Sequence, residues 1–132
     1  MIPTELTTQA LAYLGDCVYE LCVRTHLVKL GKSRSADLNR SALAYVTAPK
    51  QAIAMEKIRS LLTEEEETVC RRGRNLTHNN IPKNATIGEY RHATELECLF
   101  GYLHACGRAD RIEELFAVIV SEENQSAESP MK

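Results

Sequence analysis

The chain has 132 residues, 44% of them hydrophobic and 26% charged, with a formal charge of −2 and five cysteines. That is one domain of ordinary size, able to bury a core without metal or disulfide staples. No apolar run approaches the ~20 residues of a membrane span, no basic leader with an apolar segment and cleavage site opens the chain, and the cysteines at 17, 22, 70, 98 and 106 never form a CxxC pair. This excludes a disulfide framework or an ordinary zinc site, and the cysteines read as small core residues of a cytoplasmic protein.

The first helix is centred on Gln9 to Leu21, QALAYLGDCVYEL. On a wheel of ~100° per residue, Ala10, Leu11, Leu14, Val18, Leu21 and Cys22 fall on one side, the expected core. Gln9, Ala12, Tyr13, Asp16, Tyr19 and Glu20 fall on the other. Gly15 costs ~1 kcal/mol in mid-helix relative to alanine, which makes sense where something must approach the backbone closely. Taken alone, the neighbouring Asp16 reads equally well as a solvent-facing acid on an amphipathic helix. The helix continues through Val23 and Leu27 and stops near Gly31, a left-handed cap.

Ser33 or Ser35 caps a second helix through Leu38, Leu43 and Tyr45 to about Val46. Pro49, at home in a first turn, opens a third helix with Ile53, Met55, Ile58 and Leu61 or Leu62. Thr63 with Glu66 is a capping box, and the acids Glu64 to Glu67 complement the positive end of a fourth helix running to Arg74 and Asn75. From Leu76 to Ala85 the aperiodic LTHNNIPKNA predicts an exposed loop. Thr86 with Glu89 caps a fifth helix that ends before Gly107, with Leu96, Leu99, Phe100 and Leu103 as its buried stripe. Tyr90, Thr94, Glu97, Gly101 and His104 line a neighbouring face. Asp110 with Glu113 caps a last helix through Leu115, Val118 and Ile119. No strand alternation occurs, so the expected fold is an all-α helical bundle over residues 1–121, followed by a polar, frayed tail over 122–132.

Charge is unevenly spread. Between Cys70 and His92 five basic residues, Arg71, Arg72, Arg74, Lys83 and Arg91, face the single acid Glu89, a net +4 that leaves −6 on the rest of the chain. A basic patch on an acidic body suits phosphate binding, because screening confines each charge to about a Debye length, ~8 Å. A solvated basic loop is the plainer alternative.

Asp16 beside Gly15, and Glu97 four residues before Gly101, each place one carboxylate near a core stripe. If the two helices pack face to face, the acids converge on a hard cation such as Mg²⁺. Leu11-Ala12-Tyr13-Leu14-Gly15-Asp16 resembles the signature of the ribonuclease III family, and Ala93-Thr94-Glu95-Leu96-Glu97-Cys98-Leu99-Phe100-Gly101 resembles its second acidic motif. The Arg71-Arg72-Gly73-Arg74-Asn75 run, Pro82-Lys83-Asn84 and Tyr90-Arg91-His92-Ala93-Thr94 are similar to the short Mini-ribonuclease III subgroup, over roughly residues 6 to 118.

That resemblance implies a ribonuclease III-like helical homodimer, a Mg²⁺-dependent endonuclease (Mn²⁺ substituting) for double-stranded RNA without a separate RNA-binding domain. It also implies trimming of bacterial 23S ribosomal RNA precursor ends. Asp16 and Glu97 then hold the metal and are catalytic, and Arg71, Arg72, Arg74, Asn75, Lys83 and Arg91 bind RNA. Full ribonuclease III has acids where this chain has Gln9, Ala12 and Thr94, which thins the metal site and leaves the Thr94 hydroxyl as a candidate for holding a metal-bound water. His78, His92 and His104 are alternative bases. Cys17 and Cys98 neighbour acids without a paired histidine, which argues against a cysteine hydrolase. The alternative function is an inert helical RNA-binding module in ribosome assembly.

Overall fold

The computed structural model describes residues 5–76 and 83–128, with side chains as far as Ser121. The expected loop core at 77–82, including His78, and the last four residues of the tail lie outside the described residues. Six helices follow in order: α1 (Thr8–Lys29), α2 (Ser35–Val46), α3 (Ala48–Ile58, extended by a 3-10 turn over Arg59–Leu61), α4 (Glu64–Arg74), α5 (Ile87–Ala105) and α6 (Ala109–Glu128). No strand occurs among the described residues. The backbone of α6 stays helical through the first part of the polar segment from 122.

Local chemistry sets several helix ends, though neither Ser33 nor Ser35 caps α2, whose N-cap is Arg34 with no side-chain hydrogen bond. Thr7 accepts the Ala10 N–H at 3.0 Å to start α1, and Gly31, at φ 91°, follows its end in the left-handed region. Both expected capping boxes form: Thr63 and Glu66 exchange hydrogen bonds at the start of α4, and Thr86 and Glu89 do so at the start of α5. Asp110 is not the cap of α6. It lies in the first turn and takes a 3.3 Å bond from Arg108 Nε, while the Arg108 carbonyl accepts the Ile112 N–H.

The core is built around α5, which is buried from Ala93 to Leu103 on every side except at Glu97. Its contact with α1 is the most extensive in the fold, followed by those with α3 and α4. The expected stripe Leu96, Leu99, Phe100 and Leu103 is indeed buried, but so are Thr94, Glu95 and Gly101, because helices pack on several flanks of α5.

Three expectations for α1 are corrected, the first being Ala10, which is exposed and not in the core. Tyr19 belongs to the core, 1% exposed, with its ring edge-on to Phe100 at 5.2 Å and to Phe116 at 5.9 Å. Leu21 is the exposed residue, at 65%. The buried residues Leu11, Gly15, Tyr19, Val23 and Leu27 recur every fourth position, a ridge that drifts ~40° per step around the helix. The buried face therefore turns from α5 toward the other helices, and no single sector of a wheel contains it. Of the cysteines, Cys70 and Cys98 are core residues as expected, whereas Cys17 and Cys106 are exposed.

On the far side of the molecule Glu66 completes its capping box and also takes two bonds from Arg111, at 2.9 and 2.8 Å. Arg111 also donates to the Leu61 carbonyl at 2.8 Å. One arginine thus fastens α6 to the start of α4 and to the turn before it. No helix among the described residues is long and apolar enough to cross a membrane.

Candidate active site

The helices α1 and α5 cross at two glycines. A Cβ on Gly15 would lie 1.6 Å from the Glu97 carbonyl oxygen, and one on Gly101 would lie 2.1 Å from the Leu11 carbonyl oxygen. No side chain fits at either position, so the backbones touch directly. Each glycine gives up ~1 kcal/mol of helix propensity for that approach.

The residues flanking this crossing are Asp16, next to Gly15, and Glu97, one turn before Gly101. Asp16 is solvent-exposed and Glu97 is half-buried. The two carboxyl groups are close enough to hydrogen-bond: burial, then the charge of Asp16, then the hydrogen bond with it, push the Glu97 carboxyl up to about 8. Two carboxyl oxygens sharing a proton where two negative charges would otherwise collide form a donor set that would suit a hard divalent cation in the proton's place. Among the described residues no cluster of three or more His, Cys, Asp or Glu side chains offers a fuller cage. A cation held there would draw its remaining ligands from water and substrate, as Mg²⁺ does where few side chains reach it.

Other candidates are placed less favourably for chemistry. Thr94 is buried and donates its hydroxyl to the Tyr90 carbonyl at 2.9 Å, one turn back in its own helix. Burial, then the charge of Glu97, push the Cys98 thiol up to about 12, so it is no thiolate near neutral pH. His92 lies against Glu95, Nδ1 to Oε1 at 2.6 Å, and His104 is exposed near the far end of α5.

The basic residues divide into two sets. Arg71, Lys83, Arg91 and the α4 cap Asn75 are exposed. Arg72 donates to the Leu6 carbonyl at 3.0 Å, tethering the segment before α1, and Arg74 donates to Glu95 at 3.2 Å. Gly73 permits this join of α4 to α5, since a Cβ there would press on Cys98 Sγ at 3.0 Å and the Thr94 carbonyl at 3.1 Å.

Sequence reasoning missed Glu95. It is fully buried and bonded by Arg59, Arg74 and His92. The available signal was its spacing from Glu97: residues two apart on a helix point ~200° away from each other, so two acids at that spacing cannot both share one solvent face.

The ribonuclease III domain model matches residues 9–108, which include both carboxylates and the Gly15–Gly101 crossing. The chain belongs to the ribonuclease III family. Within it, the chain is 44% identical over 113 residues to Mini-ribonuclease 3 of Enterococcus faecalis, covering 84% of this chain and 86% of that one. It is 42% identical over 124 residues to Mini-ribonuclease 3 of Brevibacillus brevis, covering 91% and 92%. A crystal structure of a Fusobacterium nucleatum protein superposes with a TM-score of 0.82 at 28% identity, over 90% of this chain and 95% of that one. As a ribonuclease III family member with its acidic pair in place, the chain is an endoribonuclease.

The shared proton has a consequence for stability. Glu97 holds its proton more tightly folded, to about 8, than an ordinary glutamate near 4.5. Its contribution is therefore complete below the ordinary value and is lost as pH rises through the folded one. Thermal unfolding of the metal-free protein is expected to show a melting temperature that falls between pH 5 and pH ~8, with a flatter profile in Glu97→Gln. A profile identical in the two proteins would disprove the carboxyl pairing.

Proposed function

We propose that the protein is a Mg²⁺-dependent endonuclease for double-stranded RNA, acting as a homodimer in the cytoplasm on the paired ends of 23S ribosomal RNA precursor. The observation that carries the reading is the convergence of Asp16 and Glu97 at the helix crossing. Asp16 and Glu97 would hold the cation, and Glu97 would release its proton as the cation is taken up. When bound, Mg²⁺, or Mn²⁺ in its place, supplies Lewis-acid stabilisation of charge on the attacked phosphate and activates water for the attack. The solvent-exposed position of Asp16 leaves the pair open to a phosphodiester and to water.

RNA is held by Arg71, Arg74, Asn75, Lys83 and Arg91, with Arg72 adding charge while it anchors Leu6. These residues come from the end of α4, the segment after it and the start of α5, the helix that carries Glu97. A-form RNA offers phosphates and a wide, shallow minor groove, so recognition by such a set rests on shape and charge. Dimerisation is supported by α1, whose outer side exposes Tyr13 at 86%, Leu21 at 65% and Val28 at 61%. These three lie within ~80° of one another on the wheel. A two-fold dimer matches one acidic pair to each strand of a duplex. With both carboxylates in place, no observation favours an inert RNA-binding module.

On a duplex transcript carrying the paired precursor ends, the protein should cleave with Mg²⁺ and fall silent with a chelator. Asp16→Asn and Glu97→Gln should each lower turnover about a thousandfold or more, the scale of several kcal/mol of lost transition-state stabilisation, and should still bind the duplex. Near-normal turnover in either variant would refute the metal assignment.

Light scattering at micromolar protein should return twice the chain mass, and Tyr13→Glu should shift it toward one chain. An active monomer would overturn the dimer.

Counterion release tests the RNA surface. In Asp16→Asn protein, which leaves RNA intact, Lys83→Ala and Arg91→Ala should each weaken binding across unrelated duplexes and reduce the slope of log affinity against log salt by about one unit. Unchanged slopes in both would move the RNA surface elsewhere.

A further inference from the structure

The chemistry proposed above makes no use of Glu95, the most deeply buried carboxylate among the described residues, at 0% exposure. Its two oxygens are fully engaged. Arg59 donates to both, Nη2 to Oε1 at 3.0 Å and Nη1 to Oε2 at 3.3 Å. Arg74 Nη1 donates to Oε2 at 3.2 Å, and His92 Nδ1 lies 2.6 Å from Oε1. The partners come from three places: the 3-10 turn after α3, the last residue of α4, and α5 itself. They are not buried with it, for their side chains are 26%, 38% and 36% exposed for Arg59, Arg74 and His92.

Such a network is poorly explained as a source of stability. Withdrawing a carboxylate from water costs several kcal/mol, and apolar replacements of buried ion pairs are often as stable or more so. What a buried acid does supply is geometry. Arg59 is largely consumed, since it also reaches Glu56 at 3.5 Å through Nε and His92 at 3.4 Å through Nη2. Arg74 gives Glu95 one N–H of Nη1, and the rest of its five donors have no protein partner among the described residues. It is thus a half-exposed guanidinium, pinned at one corner, at the end of the helix that opens the basic segment.

We infer that Glu95 is a positioning residue for RNA: its buried carboxylate pins Arg74, so that the remaining donors of that fork meet a backbone phosphate already oriented. The inference rests on the reading of Arg74 as a phosphate contact. An unpinned arginine pays ordering entropy on binding, which corresponds to about a two- to tenfold loss of affinity per immobilised side chain. Charge alone predicts the opposite sign. Neutralising Glu95 adds a positive unit near the RNA and, by simple attraction, strengthens binding and steepens its salt dependence.

The test uses the full chain, with Asp16→Asn added for equilibrium binding to a duplex RNA by fluorescence anisotropy. Glu95→Gln should weaken binding about two- to tenfold without steepening the salt slope, and Glu95→Gln combined with Arg74→Ala should bind no more weakly than Arg74→Ala alone. In protein with Asp16 intact, Glu95→Gln should raise KM and leave kcat within about twofold, a split that a loosened fold would not produce. Arg74→Lys guards against a folding failure of Glu95→Gln: it keeps the charge, but its ammonium is a point donor that cannot hold Glu95 and offer a fork to phosphate together. It should therefore bind more weakly than the parent. Equal or tighter binding by Glu95→Gln, parental binding by Arg74→Lys, or losses that multiply in the double variant would each overturn the inference while leaving Arg74 as a contact. No loss in Arg74→Ala would instead remove Arg74 from the RNA surface, and the inference with it.

Discussion

Backbone contact between α1 and α5 is the constraint on which the rest of the structure depends. Packed helices ordinarily keep their axes 8–10 Å apart because side chains stand between them. Here Gly15 and Gly101 remove those side chains from both surfaces, and each helix rests on a carbonyl of the other. One crossing point therefore fixes two helices in translation and rotation together. Asp16 and Glu97 are the next polar groups on either side of it, so their separation is determined by backbone contact and not by flexible side chains. In the proposed reading, a cation held by only two protein carboxylates would have little redundancy. Rigid placement of those two would be what makes so small a donor set serviceable.

The single helix α5 puts three glutamates to three uses. Glu89 closes the capping box that starts the helix. Glu95, buried on the α3 and α4 side, gathers two arginines and a histidine. Glu97, on the α1 side, pairs with Asp16 and is pushed up to about 8 chiefly by burial. Their different environments follow from rotation about one axis. From 95 to 97 the side chain swings ~200°, out of a cationic neighbourhood and into an anionic one. The same helix thus carries the carboxylate that pairs with Asp16 on one flank and the anchor of Arg74 on the other, which ties the acidic pair and the end of α4 to a common rigid element.

Legibility in the sequence followed the locality of the physics only in part, since the equally local caps expected of Ser33 or Ser35 and of Asp110 do not form. The capping boxes at Thr63 and Thr86, and the glycine ends at Gly31 and Gly107, depend on residues within one turn, and they stand where the sequence puts them. The acidic pair was legible because glycines beside acids on two helices, together with the family likeness, point to one crossing. Tyr19 was misplaced because its burial depends on Phe100 and Phe116, residues far along the chain, and because the buried ridge of α1 winds around the helix. Glu95 was passed over for a related reason. An acid is expected outside unless partners are known, and its partners Arg59, Arg74 and His92 are brought to it only by the packing of α3, α4 and α5.

An acidic protein that binds a polyanion needs to keep its own acids away from the contact. Glu64 to Glu67 satisfy this by gathering at the start of α4, where the helix dipole favours them. Arg71, Arg72 and Arg74 occupy the other end of the same helix, where the dipole favours cations. Within α4 the acidic run and the arginines are centred about seven residues apart, ~10 Å at 1.5 Å per residue, or little more than one Debye length at physiological salt. The acids are therefore held toward one end of a short helix and only partly screened from the arginines at the other. Net charge is a poor guide to such a molecule, because a phosphate at the end of α4 meets the local +4 of the basic segment and little of the −6 carried elsewhere.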